Sequence, residues 1–167
     1  MCDPGTFFGK YRGIVIDNLD PLRTGRLIVQ VPDVTNILPS SWALPCVPFA
    51  GVQSGFFAVP PIGSTVWVEF EHGNPDYPIW TGCFWETMAQ VPALALSAPP
   101  ALEQILIQTA GQNMLLITDA LLPTGGIVLK GGNGSISLTE AGVIIAGPTI
   151  TMTGAPVTIN AGALVVS

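Results

Sequence analysis

From Gly134 to Ser167 the chain repeats every seven residues, with aliphatic side chains at positions i and i+2 of each unit. Ile136, Val143, Ile150, Val157 and Leu164 form one column, and Leu138, Ile145, Met152, Ile159 and Val166 form a second. A coiled coil needs apolar spacings of three and four, so this heptad is not one. Side chains two apart share a face only in an extended strand. Each unit therefore reads as a short strand plus a corner, with Gly147, Pro148, Gly154, Pro156 and Gly162 at the joints.

Such a unit cannot stand alone. Two inward aliphatics return less free energy than ordering seven residues of backbone costs, and strand hydrogen bonds help only where a partner strand exists. Repeat architectures resolve this by stacking against neighbours. Three closures remain open on the residues alone: several copies wrapped round a common axis, a single-chain β-helix, or an irregular β-rich tail. The first is preferred, because each strand has just two large inward groups.

At 167 residues the chain has room for one domain, or for a small domain with an appendage. Nearly half of the residues are apolar (49%) but only 10% are charged, as expected of a surface covered largely by copies of itself. Gly, Pro and Thr interrupt every apolar run before it reaches bilayer-spanning length. The net charge is −6, and Lys10, Arg12, Arg23, Arg26 and Lys130 are the only Lys or Arg residues. That balance argues against nucleic acid and anionic membrane as main partners. Cys2, Cys46 and Cys83 are odd in number and lack CxxC spacing, so reduced and mostly packed thiols are expected. The opening Met-Cys-Asp-Pro-Gly has no basic residue or apolar core, so synthesis in the bacterial cytoplasm without a signal peptide is expected.

The chain divides by chemistry. All four Trp and both Tyr precede Met88, and no aromatic ring follows it. We expect one domain over 1–88, an apolar Pro/Ala connector over 89–102 (AQVPALALSAPPAL), and a neck with the repeat over 103–167. The first part predicts five strands: Lys10–Asp17, Arg26–Val31, a Pro-interrupted Ser41–Phe49, Thr65–Glu71 and Pro78–Phe84. In the fourth, Val66, Val68 and Phe70 fall on one face, and Trp67, Glu69 and Glu71 on the other. Short strands, Gly-rich corners and no helical periodicity suggest a small barrel of the OB type.

The runs GKYRGIVIDNLDPLRTGRLIVQVPDV, SWALPCVPFAG and GFFAVPPIGSTVWVEFEHGNPDYPIWTGCFW resemble the OB-fold domain of contractile-tail spike proteins. That family includes the baseplate assembly protein V of myophages and the valine–glycine-repeat spikes of type VI secretion. Ile105 to Asp119 (ILIQTAGQNMLLITD) resembles its neck segment, and the heptad tail its triple-stranded, intertwined β-helix. The resemblance implies an all-β homotrimer: a five-stranded barrel followed by a β-prism spike, part of a virion or contractile-particle baseplate. It implies a hub protein as a separate chain, since no hub sequence precedes the barrel, and no lysozyme-like insertion follows it. The end at Leu164-Val165-Val166-Ser167 would suit a separate tip protein of the PAAR-repeat kind, with transient contact to a target-cell membrane.

Candidate chemistry is sparse. Glu69 and Glu71 share a strand face, a spacing that acid–base catalysis can use, but a solvated outer face is the preferred reading. Asp17 and Asp20 flank an Asn-Leu-Asp-Pro turn, where short carboxylates cap backbone amides. His72 has no nearby Cys or second His, so no metal is expected; no cofactor is expected either. Gly131-Gly132-Asn133-Gly134 lacks the strand–turn–helix context of a phosphate loop. Arg12, Arg23 and Arg26 concentrate near the first hairpin and are candidate hub contacts. The expectation is a non-enzymatic, membrane-puncturing spike whose trimer core holds the ten aliphatics named above. Its rivals are an OB-fold oligonucleotide- or oligosaccharide-binding module and an enzyme degrading envelope polysaccharide.

Overall fold

The computed structural model describes residues 5–120 and 125–153. Contacts divide the chain into two compact units, Met1–Gln90 and Val91–Ser167, and each is described by itself.

The first unit is built on alternation. Strands β1 (Tyr11–Asp17), β2 (Leu27–Gln30), β3 (Pro39–Pro45), β6 (Thr65–Phe70) and β7 (Pro78–Cys83) close a barrel in the order β1-β2-β3-β7-β6. Every neighbouring pair is antiparallel except β3 and β7, which run parallel. Period-two alternation sends Val15, Leu27, Val29, Ala43, Val66, Val68, Phe70 and Trp80 inward, where Val31 joins them in one buried cluster. Closure pairs all five strands and leaves the barrel without a free edge. The interior is tight at Gly13: a Cβ there would lie 2.9 Å from Val68 Cγ2.

Three local features depart from the sequence expectation. A single helical turn, α1 (Pro32–Thr35), follows β2, started by the proline. A small hairpin of β4 (Ala50–Gly51) and β5 (Ser54–Gly55) occupies part of what the sequence left as loop. Strand β6 ends at Phe70, so Glu71 lies in the following turn rather than on the outer face with Glu69. The thiols also differ from expectation. Cys46 and Cys83 are exposed and free rather than packed, because both sit where β3 and β7 run out of the barrel wall; Cys2 lies outside the described residues.

The second unit opens with a short helix, α2 (Ala93–Ser97), inside the Pro/Ala-rich segment. It continues as an antiparallel meander of five strands: β8 (Gln104–Gln108), β9 (Met114–Thr118), β10 (Gly126–Gly131), β11 (Gly134–Thr139) and β12 (Gly142–Ala146). Two-residue corners join the last three strands. Gly131 faces Gly134 across Gly132-Asn133, and Thr139 faces Gly142 across Glu140-Ala141. Gly132 supplies the left-handed backbone (φ +55) that a tight hairpin requires at its first corner position. Asn113, in the β8–β9 loop, accepts a hydrogen bond from the Gly132 N–H at 2.9 Å and ties two loops together. No helix among the described residues is long and apolar enough to cross a membrane.

Candidate functional site

The meander puts two unbroken aliphatic rows on one face. Register sets Ile105 opposite Ile117, Ile117 opposite Ile127, Ile127 opposite Leu138 and Leu138 opposite Val143. The second row runs Ile107, Leu115, Leu129, Ile136 and Ile145 by the same pairings. Each strand thus contributes two side chains to this face, and no charged group interrupts either row. The reverse face carries Leu106, Leu116, Val128, Ser137 and Ile144 along its middle, flanked by Gln104, Gln108, Lys130 and Ser135. There Leu116 is buried, and Gln104 Nε2 donates to the Ala95 carbonyl of α2 at 2.6 Å. The aliphatic rows have no such cover: Ile105 is 59% exposed and Val143 66%. A contiguous apolar surface of that kind marks an interaction site.

Of the ten residues expected to line a trimer core, Ile136, Leu138, Val143 and Ile145 lie in these rows. Ile150 and Met152 follow outside the sheet, where no strand is formed, and both are exposed. Val157, Ile159, Leu164 and Val166 lie outside the described residues. The pairing within the columns differs from a parallel wrap. β11 and β12 form a hairpin of one chain, so Ile136 faces Ile145 and Leu138 faces Val143. Chain reversal exchanges the two columns; a parallel wrap would have set Ile136 beside Val143. Sequence reasoning missed Ile105, Ile107, Leu115, Ile117, Ile127 and Leu129. They carry the same i, i+2 signature, but longer and unequal loops break the seven-residue interval that made the later units visible.

In the barrel unit, Asp20 organises the turn between β1 and β2. Its carboxylate accepts hydrogen bonds from Leu22 N at 3.0 Å, Thr24 N at 2.8 Å and Thr24 Oγ1 at 2.9 Å. Arg26 donates from Nε at 3.0 Å and from Nη2 at 2.6 Å. The Arg26 guanidinium, with the Leu22 and Thr24 donors, holds the Asp20 carboxyl well below the usual carboxylate range against the opposing effect of burial. Arg26 also lies 5.2 Å from the Trp42 ring centroid. Of the three arginines, Arg26 is therefore committed to a structural pair. Arg12 sits over Trp67 and Phe84, at 5.8 and 5.5 Å from their centroids. Arg23 is exposed in the Asp20 turn, with a left-handed backbone (φ 54).

The remaining candidates assemble no catalytic geometry. Glu69 pairs with Lys10 at 2.8 Å, away from Glu71. Asp17 accepts from Leu19 N at 2.8 Å, as a turn former does. His72 is exposed, with a left-handed backbone (φ 52), in the turn after β6. Among the described residues, no group of three or more His, Cys, Asp or Glu could hold a metal ion.

Residues 11–85 match the type VI secretion system/phage-baseplate injector OB domain. Residues 104–165 match the phage baseplate V C-terminal trimerisation domain. Over 43 residues, 26% of this chain, it is 51% identical to the actin cross-linking toxin VgrG1 of Vibrio cholerae serotype O1. That alignment spans 4% of the toxin's own length, so the likeness concerns a small part of it.

Proposed function

This chain belongs to the phage baseplate V family of contractile-tail injectors, and on that premise we propose that three copies form the membrane-puncturing central spike at the tip of a contractile tail. Its role is structural. The observation that carries the reading is the pair of exposed aliphatic rows crossing β8 to β12. Only two inward side chains per strand are present, too few for one sheet to enclose. Three such sheets facing one axis bury all of them, two per strand from each copy.

The rows run across the strands, so the axis of the assembly runs across the strands too. Strands stack along the needle, and their hairpin corners lie at the edges of a three-sided prism. Hydrogen bonds along every face then resist bending, which is what a puncturing element needs when contraction of a sheath supplies force. The prism presents few charges, and this lowers the cost of passage through lipid. In the sequence the i, i+2 spacing continues from Ile150 to Val166.

A separate hub protein of the particle holds the barrel. Arg23 and Arg12 supply the cationic contacts to that hub, while Arg26 fixes the turn that presents Arg23. The distal end receives a separate tip protein of the PAAR kind.

Sedimentation of the purified full chain tests the core of this reading. At micromolar concentration the species should weigh three times 17.4 kDa. A folded monomer would refute it. The hub contact is tested by Arg23→Glu, which should abolish retention of the spike on purified baseplates while leaving the trimer intact.

A further inference from the structure

Between Asp33 and Glu69 the chain carries no ionisable Asp, Glu, Lys, Arg or His at all, yet much of this stretch lies on the outside of the barrel. The β4–β5 hairpin is its most prominent part. Phe56 N donates to the Phe49 carbonyl at 3.1 Å, which sets the two phenylalanines side by side at the base. Val52, at the tip, is 96% exposed, and Phe57 is 73% exposed although its ring edge rests beside Gly25. A groove of about 340 Å³ opens next to them, lined by Pro45, Val47, Phe56, Phe57, Val59 and Trp80. Solitary exposed aliphatics need no explanation, but a charge-free hairpin beside an apolar groove does.

Resting on the trimer reading, we infer that this hairpin is a second contact between copies, at which the barrel of one chain meets the barrel of the next. Charge selects the occupant. Each chain carries a net charge of −6, and two of its four barrel cations, Lys10 and Arg26, are already spent on Glu69 and Asp20. Identical chains of one sign repel wherever acidic faces approach, so they meet best on the face that has no charge. Interface cores are depleted of charge and enriched in aromatic groups; this hairpin carries no charge, and Phe49, Phe56 and Phe57 flank it. A hub recognised through cations would use the opposite chemistry, which the Arg12 and Arg23 surfaces offer. A contact closed by threefold rotation is heterologous: the hairpin tip of one copy enters the groove that its neighbour's hairpin helps to line.

Hydroxyl-radical footprinting of the purified full chain, with no other protein present, tests this, because neither a hub nor any other partner protein can then cover the hairpin. Phe8 is the internal reference: it has the same intrinsic reactivity and is 62% exposed against 73% for Phe57. In trimer confirmed by sedimentation of the same sample, Phe57 should oxidise several-fold more slowly than Phe8. Equal or faster oxidation of Phe57 in confirmed trimer overturns the inference and leaves the trimer reading standing, as does protection that appears only on adding a hub. A monomer in sedimentation overturns both. As a second measurement, Val52→Asp should lower the denaturant midpoint for trimer dissociation; an unchanged midpoint counts against the contact.

Discussion

Ile136 and Ile145 stand opposite each other across the β11–β12 hairpin, yet they are 40% and 54% exposed. A cross-strand aliphatic pair gains little while water still covers it, so its stabilisation must come from a third surface. In the proposed trimer, Ile136→Asp places a carboxylate where three copies converge. The expected outcome is loss of trimer in sedimentation with the barrel still folded by near-ultraviolet circular dichroism. A heat-stable trimer from this variant would show that the face does not point inward.

Asp20 and Arg26 predict a pH dependence of the barrel. The folded-state pKa of Asp20 lies below its unfolded value of about 4. Its contribution is therefore fully present above the unfolded pKa and is lost as pH falls toward the folded one. Thermal melts should show this contribution constant from neutral pH to about pH 5 and declining below about pH 4. Asp20→Asn should lower the melting temperature at pH 7 and flatten that acid limb; an unaltered limb would assign the acid sensitivity to other carboxylates.

Gly13 and Gly126 are small for different reasons. Gly13→Ala pushes a methyl against Val68 Cγ2 inside the barrel, an overpacking cost of about 1–3 kcal/mol by chemical denaturation. Gly126 has φ +111, and any Cβ there would run into the Leu138 carbonyl oxygen of the paired strand. Gly126→Ala should disrupt β10–β11 pairing and with it the trimer, leaving the barrel spectrum unchanged. Equal, mild effects at both sites would contradict these assignments.

Trp80 donates from Nε1 to the Gly25 carbonyl at 3.0 Å, in the buried base of the barrel. Trp80→Phe keeps an aromatic ring but leaves that carbonyl unpaired, for a cost of about 1–3 kcal/mol. Denaturant titration of the full chain, followed by barrel circular dichroism, measures it. A cost near zero would mean that water reaches Gly25.

Much of the barrel was legible because its signals are local. From Val66 to Phe70 the strand alternates, with Val66, Val68 and Phe70 buried; Thr65, at its start, is buried too. Asp20 was readable as a turn former from the Asn-Leu-Asp-Pro context, but its pair with Arg26 was not, since that depends on how the turn folds back. Glu71 looked like a strand residue because alternation carries no information about where a hydrogen-bonded ladder stops. The exposed Cys46 and Cys83 were misjudged for a related reason: the usual burial of cysteine is an average over folds, not a property of the sequence position.

The i, i+2 aliphatic spacing by itself determined that the repeat units form strands with their aliphatic side chains on one face, as Gly134–Thr139 and Gly142–Ala146 do, because side-chain direction in a strand follows from covalent geometry alone. It did not determine which strands lie side by side. Register and partner are set by hydrogen bonds between residues far apart in sequence and by the lengths of intervening loops. Only the tertiary structure brought Ile105, Leu115, Ile127 and their neighbours into line with Ile136 and Val143, and exchanged the two columns by reversing the chain at Glu140-Ala141.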